Sequence, residues 1–369
     1  MNRVILKRFI GLLACASALA GPAHAAASSA SLEDAFDTTF AARPASQNSA
    51  PQNPVRQAPA RATPVRPSFS AGVVPLVYAQ PSQQVYSTPL EMSIAALADG
   101  THGRIGVAAY DLTTGRSVAI LGNQPFPMAS TSKVAIVATY LAAVDAGRLT
   151  LDQSFALRIP VPSKKFDGDE APVRNGTMMP AYALIEAAIT HSDNHATDAL
   201  LAAVGGPAAV TLWVQQNTGI GDFHLDRTIA TLVRDDGANN PATMIDRRDS
   251  ISPQSMVYLL SGLYRGQWLS PQSREVLMGA MSRTVTGKHR IRALMPEDVQ
   301  VAHKTGTLSN TASDVGFIRG PDGHDIALAI YVTGQGGKAS RDARIASIAR
   351  ALYDGYQIEQ PGQFRTALH

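Results

Sequence analysis

Cysteine is nearly absent: Cys15 is the only one in 369 residues. It falls in the first 25, so a chain cleaved after that segment has no thiol. That excludes a disulfide framework, a cysteine nucleophile and a cysteine-held metal. Charge of one sign is equally scarce. The formal net charge is +3, from 32 Lys and Arg against 29 Asp and Glu. Arg3, Lys7 and Arg8 account for that excess, and residues 1–25 hold no acid. The rest is neutral, so the sequence pI of about 9.0 is no argument for a nucleic-acid partner. A long apolar run is also missing. Residues 9–19 are too few to span a bilayer comfortably, and no stable membrane insertion is expected.

What is present falls into four segments. Residues 1–8 are charged, 9–19 are apolar, and Ala23-His24-Ala25 places small residues at both key positions of a cleavage site. This order reads as a secretory signal peptide over 1–25 and predicts a periplasmic protein. Leu12-Leu13-Ala14-Cys15 loosely matches a lipoprotein box, so anchoring through Cys15 is the alternative. Residues 26–86, rich in Ala, Pro, Ser and Gln, bury too little apolar surface to offset their ordering entropy and predict a linker. Leu32, Phe36 and Phe40, at helical spacing, are its one local exception. Residues 87–360 form the folded domain, and 361–369 a tail.

Within the domain a helix is expected over 90–97. Strands follow at 104–111 and 117–121, joined by Thr113-Thr114-Gly115. An apolar helix over 131–146 stops at Gly147. The middle reads as helical, including 182–190, 195–204, 255–264 and 273–281. Strands return at 299–304, 314–319 and 326–332, and a helix over 341–356 closes the domain. Hairpin first, helices between and strands last imply one antiparallel sheet completed by both ends of the domain. The seam between sheet and helical insert is where a site is expected.

Three short segments carry chemistry. Ser130-Thr131-Ser132-Lys133 opens the apolar helix, and positions three apart share a helix face. A serine hydroxyl needs a base to become nucleophilic, and a lysine in a dry, cationic cleft can serve as one. Alone, this is also how a capped helix with an ordinary lysine reads. His191-Ser192-Asp193-Asn194 stands between two helices. Ser192 can relay a proton and Asn194 can donate its amide, although a polar helix junction looks the same. His303-Lys304-Thr305-Gly306-Thr307 ends a predicted strand. It offers a cation, a hydroxyl, room for close approach and the Thr307 N–H.

The order and spacing of these segments resemble those of class A β-lactamases and penicillin-binding proteins, the penicillin-recognising serine hydrolases. The resemblance runs from about residue 88 to 358. It extends to Leu225-Asp226-Arg227, Ser252-Pro253, Thr286-Gly287 and Arg290-Ile291-Arg292-Ala293. It implies an α/β (α+β) fold, with an antiparallel five-stranded sheet flanked by helices plus an all-helical lobe. It further implies that Ser130 attacks a lactam carbonyl and is acylated, with Lys133 taking its proton. The N–H groups of Ser130 and Thr307 would form the oxyanion hole, typically worth about 3–4 kcal/mol per donor. Ser192 would pass a proton to the lactam nitrogen. Lys304, Thr305 and Arg290 would hold the substrate carboxylate, with Arg292 as the substitute for Arg290. Gly306 would admit the backbone, and Asn194 would contact the substrate's side-chain amide. The expected partner is a β-lactam or a peptidoglycan stem peptide, and a monomer is expected.

No cofactor and no metal are implied. His191 and His195 have a zinc-like spacing, but Ser-Asp-Asn lies between them instead of the glutamate that metal-assisted hydrolysis needs. Gly334-Gln335-Gly336-Gly337 lacks the Lys-Ser/Thr of a phosphate loop and reads as a loop. Trp213 and Trp268 read as packing residues.

The chain departs from the pattern it resembles at one place. Class A β-lactamases carry a glutamate two residues after the Asp-Arg and an asparagine four further on, which position the deacylating water. Ile229 and Val233 occupy those positions here, and no glutamate lies between Glu186 and Glu275. Of the nearby Asp222, Asp226, Asp235 and Asp236, the last two are the candidates for a replacement. Losing a general base costs about 10²–10⁴ in rate. Deacylation is therefore expected to stall unless Asp235 or Asp236 reaches the cleft. The leading expectation is a slow β-lactam-hydrolysing enzyme. The alternatives are a D-Ala-D-Ala peptidase or esterase acting on peptidoglycan, and a non-catalytic wall-binding protein.

Overall fold

The computed structural model describes residues 74–75 and 86–358. The signal peptide, nearly all of the linker with Leu32, Phe36 and Phe40, and the tail lie outside the described residues.

Local chemistry sets the first elements. Val74–Pro75 (β1) precedes helix α1, Pro89–Leu97. Thr88 caps α1 and forms a capping box with Glu91, with proline in the first turn, where its missing N–H costs nothing. Strands β2 (Ile105–Asp111) and β3 (Ser117–Ile120) make the expected hairpin, and Phe126–Pro127 (β4) leads to the nucleophile segment. There a 3₁₀ turn over Ala129–Ser132 comes first. The α-helix α2 is Lys133–Asp145. Most of its residues are buried, as expected of a helix apolar all round that runs through the middle of a lobe.

The lobe built around α2 contains more than helices. Ser154–Pro160 (β5) and Val173–Pro180 (β6) pair as a two-stranded sheet with a register shift at Ala156/Arg158. Prolines at both ends and Gly176 within β6 blur the period-two signal, so the sequence reading passes over this hairpin. Helices α3 (Ala181–Thr190), α4 (Asn194–Ala203), α5 (Pro207–Thr218) and α6 (Ile229–Arg234) follow. Short strands β7 (Met244–Ile245) and β8 (Ser250–Ile251) return the chain, and β7 pairs with β1. Helices α7 (Pro253–Tyr264) and α8 (Pro271–Ser282) lead back toward the sheet.

Three long strands then complete that sheet: β9 (Gln300–Leu308), β10 (Thr311–Arg319) and β11 (Asp325–Thr333). Helix α9, Lys338–Ile358, closes the domain. The sheet order is β3-β2-β11-β10-β9, with antiparallel neighbours throughout. Both faces are covered. Ile326, Leu328, Ile330 and Val332 of β11 join the core shared with α1 and α9. Ala327, Ala329 and Tyr331, on the opposite pleat face, join the core of the helical lobe.

β9 runs to Leu308, beyond the expected end at Lys304. Its register continues through Lys304↔Val315, Thr305↔Asp314, Gly306↔Ser313 and Thr307↔Ala312. Pairing with β10 overrides the poor strand propensity of Lys-Thr-Gly. The third motif is therefore an edge-strand segment, and that edge is covered by the Ala129–Ser132 turn and α8.

Candidate active site

The site forms where the nucleophile turn, the α3–α4 junction and β9 meet. Ala129 adopts a left-handed conformation (φ 49°) just before Ser130. Thr131 Oγ1 donates to Met128 O at 2.7 Å, and Ser132 Oγ donates to Ala129 O at 2.8 Å. Side chains thus hold a turn that lacks regular helical bonding. Lys133 follows as the first residue of α2 and is 0% exposed.

Lys133 Nζ reaches across to the second motif. It donates to Ser192 O at 2.6 Å, to Asn194 Oδ1 at 2.7 Å and to Ser192 Oγ at 3.2 Å. The Ser130 hydroxyl is not among these partners. Burial pushes the amine down to about 7, against the opposing pull of Asp193 and Asp198. Ser192 sits in a left-handed turn (φ 59°), a strained conformation typical of functional sites. Asp193 caps α4 by accepting from Ala196 N at 2.7 Å. His191–Asn194 is therefore a helix junction and a site wall at once. His191 Nδ1 lies 2.7 Å from Thr190 Oγ1, and no cluster suited to a metal occurs among the described residues.

β9 supplies the opposite wall. Gly306 is where it approaches the nucleophile turn. A Cβ there would lie 2.6 Å from Met128 O and collide with Ser313 Oγ. Lys304 is 0% exposed, and its Nζ donates to Thr305 O at 3.0 Å. Burial holds this amine well below the usual lysine range. The Lys133 and Arg290 charges push the same way, and Asp314 opposes them. Thr305 Oγ1 shares a 2.7 Å hydrogen bond with Thr286 Oγ1.

Arg290 is only 3% exposed. Its Nε donates to Asp342 Oδ1 at 2.7 Å. One terminal nitrogen donates to Gly306 O and Ser313 O, both at 2.8 Å, and the other to Thr307 Oγ1 at 2.6 Å. Four of its five N–H donors thus tie β9, β10 and α9 together, two of them on β9, and leave one for a ligand. Arg292 donates to Ser282 O and Val301 O and does not line the cleft, so it is no substitute for Arg290.

Ser130, Ser192, Asn194, Arg290, Thr305 and Thr307 line one cleft of about 370 Å³. Lys133, Lys304 and Gly306 lie buried around it and are not among its lining residues. The rim adds Thr286, Lys288, His289, Lys338 and Asp342. Thr286 is marked in the sequence only by the resemblance. Lys338 and Asp342 carried no sequence signal, because α9 reaches Arg290 only through the fold.

The segment after Asp226-Arg227 offers the cleft no base. Asp249 holds it, with Oδ2 2.6 Å from Arg227 Nε and Oδ1 accepting from Asp226 N and Arg227 N. Thr228 caps α6. Ile229 is 2% exposed and packs in the lobe core, while Val233 faces solvent. Asp235 pairs with Arg234 at 2.8 Å and accepts from Phe166 N; the Arg234 hydrogen bond leads in holding its carboxyl at about 2. Asp236 accepts from Ser309 N at 2.8 Å. Both line a separate cavity with Arg227 and Arg248. The expectation that one of them could reach the Ser130 cleft is thereby corrected: each is held elsewhere by its own partner.

Fold and cleft together define a β-lactamase-like serine hydrolase. A model of the β-lactamase enzyme family matches residues 89–356. The chain is similar to the solved class A β-lactamase reconstructed as the last common ancestor of Gram-negative bacteria. Identity is 36% and the TM-score 0.61, over 73% of this chain and 100% of that one. It is also similar to a β-lactamase from Chitinophaga pinensis, at 27% identity and a TM-score of 0.63, over 73% of this chain and 100% of that one. The chain belongs to the β-lactamase enzyme family, among the class A-like serine hydrolases.

Proposed function

We propose that the protein acylates itself on Ser130 with β-lactams and hydrolyses the resulting ester slowly. The observation that carries this reading is the buried Lys133 amine, near neutrality and bonded to Ser192 and Asn194. A base poised near the working pH is what proton abstraction from a serine requires.

In this reading Ser130 Oγ attacks the lactam carbonyl while its proton passes to Lys133 Nζ, which exchanges one present partner for the serine. Hydrogen bonds of this kind often tighten only when substrate is bound. The N–H groups of Ser130 and Thr307 receive the oxyanion. The C–N bond breaks, Ser192 hands its hydroxyl proton to the nitrogen and takes one back from Lys133 Nζ, 3.2 Å from its Oγ, and an ester remains on Ser130. Lys304, Thr305 and the free N–H of Arg290 hold the carboxylate, and Asn194 contacts the amide. The ester then waits for water, with Ile229 buried and Asp235 and Asp236 occupied. That favours a long-lived acyl-enzyme, behaviour shared with penicillin-binding peptidases. Export directed by residues 1–25 would put the enzyme where such substrates are.

Stopped-flow with a chromogenic cephalosporin tests the proposal. One rapid equivalent followed by slow steady turnover, with a mass increase on Ser130, is expected. A burst followed by silence, with cleavage of a D-Ala-D-Ala peptide, would favour the peptidase. Neither burst nor mass shift would favour a wall-binding role.

A further inference from the structure

One buried carboxylate is unused by that chemistry. Asp198 lies on α4 one turn beyond Asn194, and residues four apart share a helix face. Asn194 is the residue that accepts from Lys133 Nζ at 2.7 Å. The Asp198 side chain is itself buried, at 5% exposure. Its Oδ1 accepts from Ile229 N at 2.7 Å, and its Oδ2 from Ala230 N at 2.8 Å. Those N–H groups are the first two of α6 and have no partner within their own helix. A carboxylate on one helix therefore caps another. Asp198 is not among the residues lining the Ser130 cleft, so it does not hold water against the ester.

The charges around this group are few. Lys133 from α2 and Glu170 from the loop before β6 face Asp198. Asp193, Asp198 and, from β9, Lys304 face Lys133. Burial raises the Asp198 carboxyl, and the two capping N–H groups and Lys133 pull it back.

We propose that Asp198 is a positioning residue whose carboxylate, together with Asp193, helps set how readily Lys133 yields its proton, while it also seats the helix that carries Ile229. The inference rests on Lys133 being the proton acceptor for Ser130. A neighbouring negative charge favours the protonated amine. Removing the charge lets the amine lose its proton at lower pH, and makes it a weaker base.

The test uses the full chain and the variant Asp198→Asn. Burst rates are measured across about pH 5 to 9, alongside NMR of ¹³Cε-labelled lysine, which reads the Lys133 titration without any substrate. The acid limb and the Lys133 midpoint should both move down by roughly one pH unit. The alkaline plateau should fall severalfold, because a weaker base accepts the proton less well. Ala230→Pro is the control: it deletes one capping N–H, keeps the charge, and places proline in the first helical turn, where it is tolerated. It should leave the midpoint in place. An unmoved midpoint in Asp198→Asn, by rate and by NMR, would overturn the proposal. So would equal shifts in both variants. Asp198→Ser repeats the test if the asparagine variant is insoluble, and failure of both to fold would make the role structural and end the proposal. A wild-type chain without a burst would sink the acylation reading alone, since the NMR titration still decides what Asp198 does to Lys133.

Discussion

The chemistry turns on a lysine that the fold keeps out of water. Lys133 is held near 7 by burial, and it accepts a proton only when neutral. The acylation rate should therefore be half-maximal near that pH and fall about tenfold per unit below it. A flat rate between about pH 5 and 8 would remove Lys133 from this role. Ser130→Ala should abolish both the burst and the covalent mass shift, because no other hydroxyl on the cleft wall stands at the turn that faces Gly306. Ile229→Glu asks the converse question. It would restore a carboxylate at the start of α6 and should speed deacylation by about 10² or more. It should also lower Tm, because a core position would then hold a charge. Unchanged deacylation would mean that the ester is slow for a reason other than the missing base.

At the scale of elements, the site depends on how closely a strand and a turn approach. Gly306 lets β9 lie against Met128 and Ala129, and a Cβ there meets Met128 O at 2.6 Å. Gly306→Ala should destabilise by about 1–3 kcal/mol through overpacking and slow acylation by more than tenfold, since a misplacement near 1 Å costs about 10². Thermal melts and burst kinetics would read the two effects separately. Normal acylation would show that the approach is not limiting. Elements also show where sequence reasoning loses resolution. The apolar helix at Lys133 and the β2–β3 hairpin were legible from local pattern. The β5–β6 hairpin was not, because proline and glycine hide its alternation. The strand through Lys304-Thr305-Gly306 also ran longer than expected, because β10 supplies its hydrogen bonds.

For the whole molecule, the cleft is cationic by assembly. Lys288 and Arg290 from the loop after α8 and Lys338 from α9 meet at one cleft, where Asp342 is their only acidic neighbour on the wall. Yet the chain beyond residue 25 is neutral. Charge gathered in this way steers anions and is screened by salt. Raising ionic strength should slow acylation by an anionic cephalosporin severalfold, and less so for a zwitterionic one. Equal salt effects on the two would mean that the rim does not steer.

Local periods along the chain determined the two-ended sheet. The candidates Ser130, Lys133, Ser192 and Lys304, and Ile229 where class A β-lactamases carry a glutamate, were legible only through the order and spacing shared with those enzymes. Tertiary structure alone decided the rest. It bound Arg290 to Asp342 across 52 residues and removed Arg292 from the cleft. It tied Asp235 and Asp236 to partners elsewhere and set Asp198 against the start of α6. Those outcomes depend on which groups face one another after packing, and on whether water reaches them, and neither property is encoded in a neighbour along the chain.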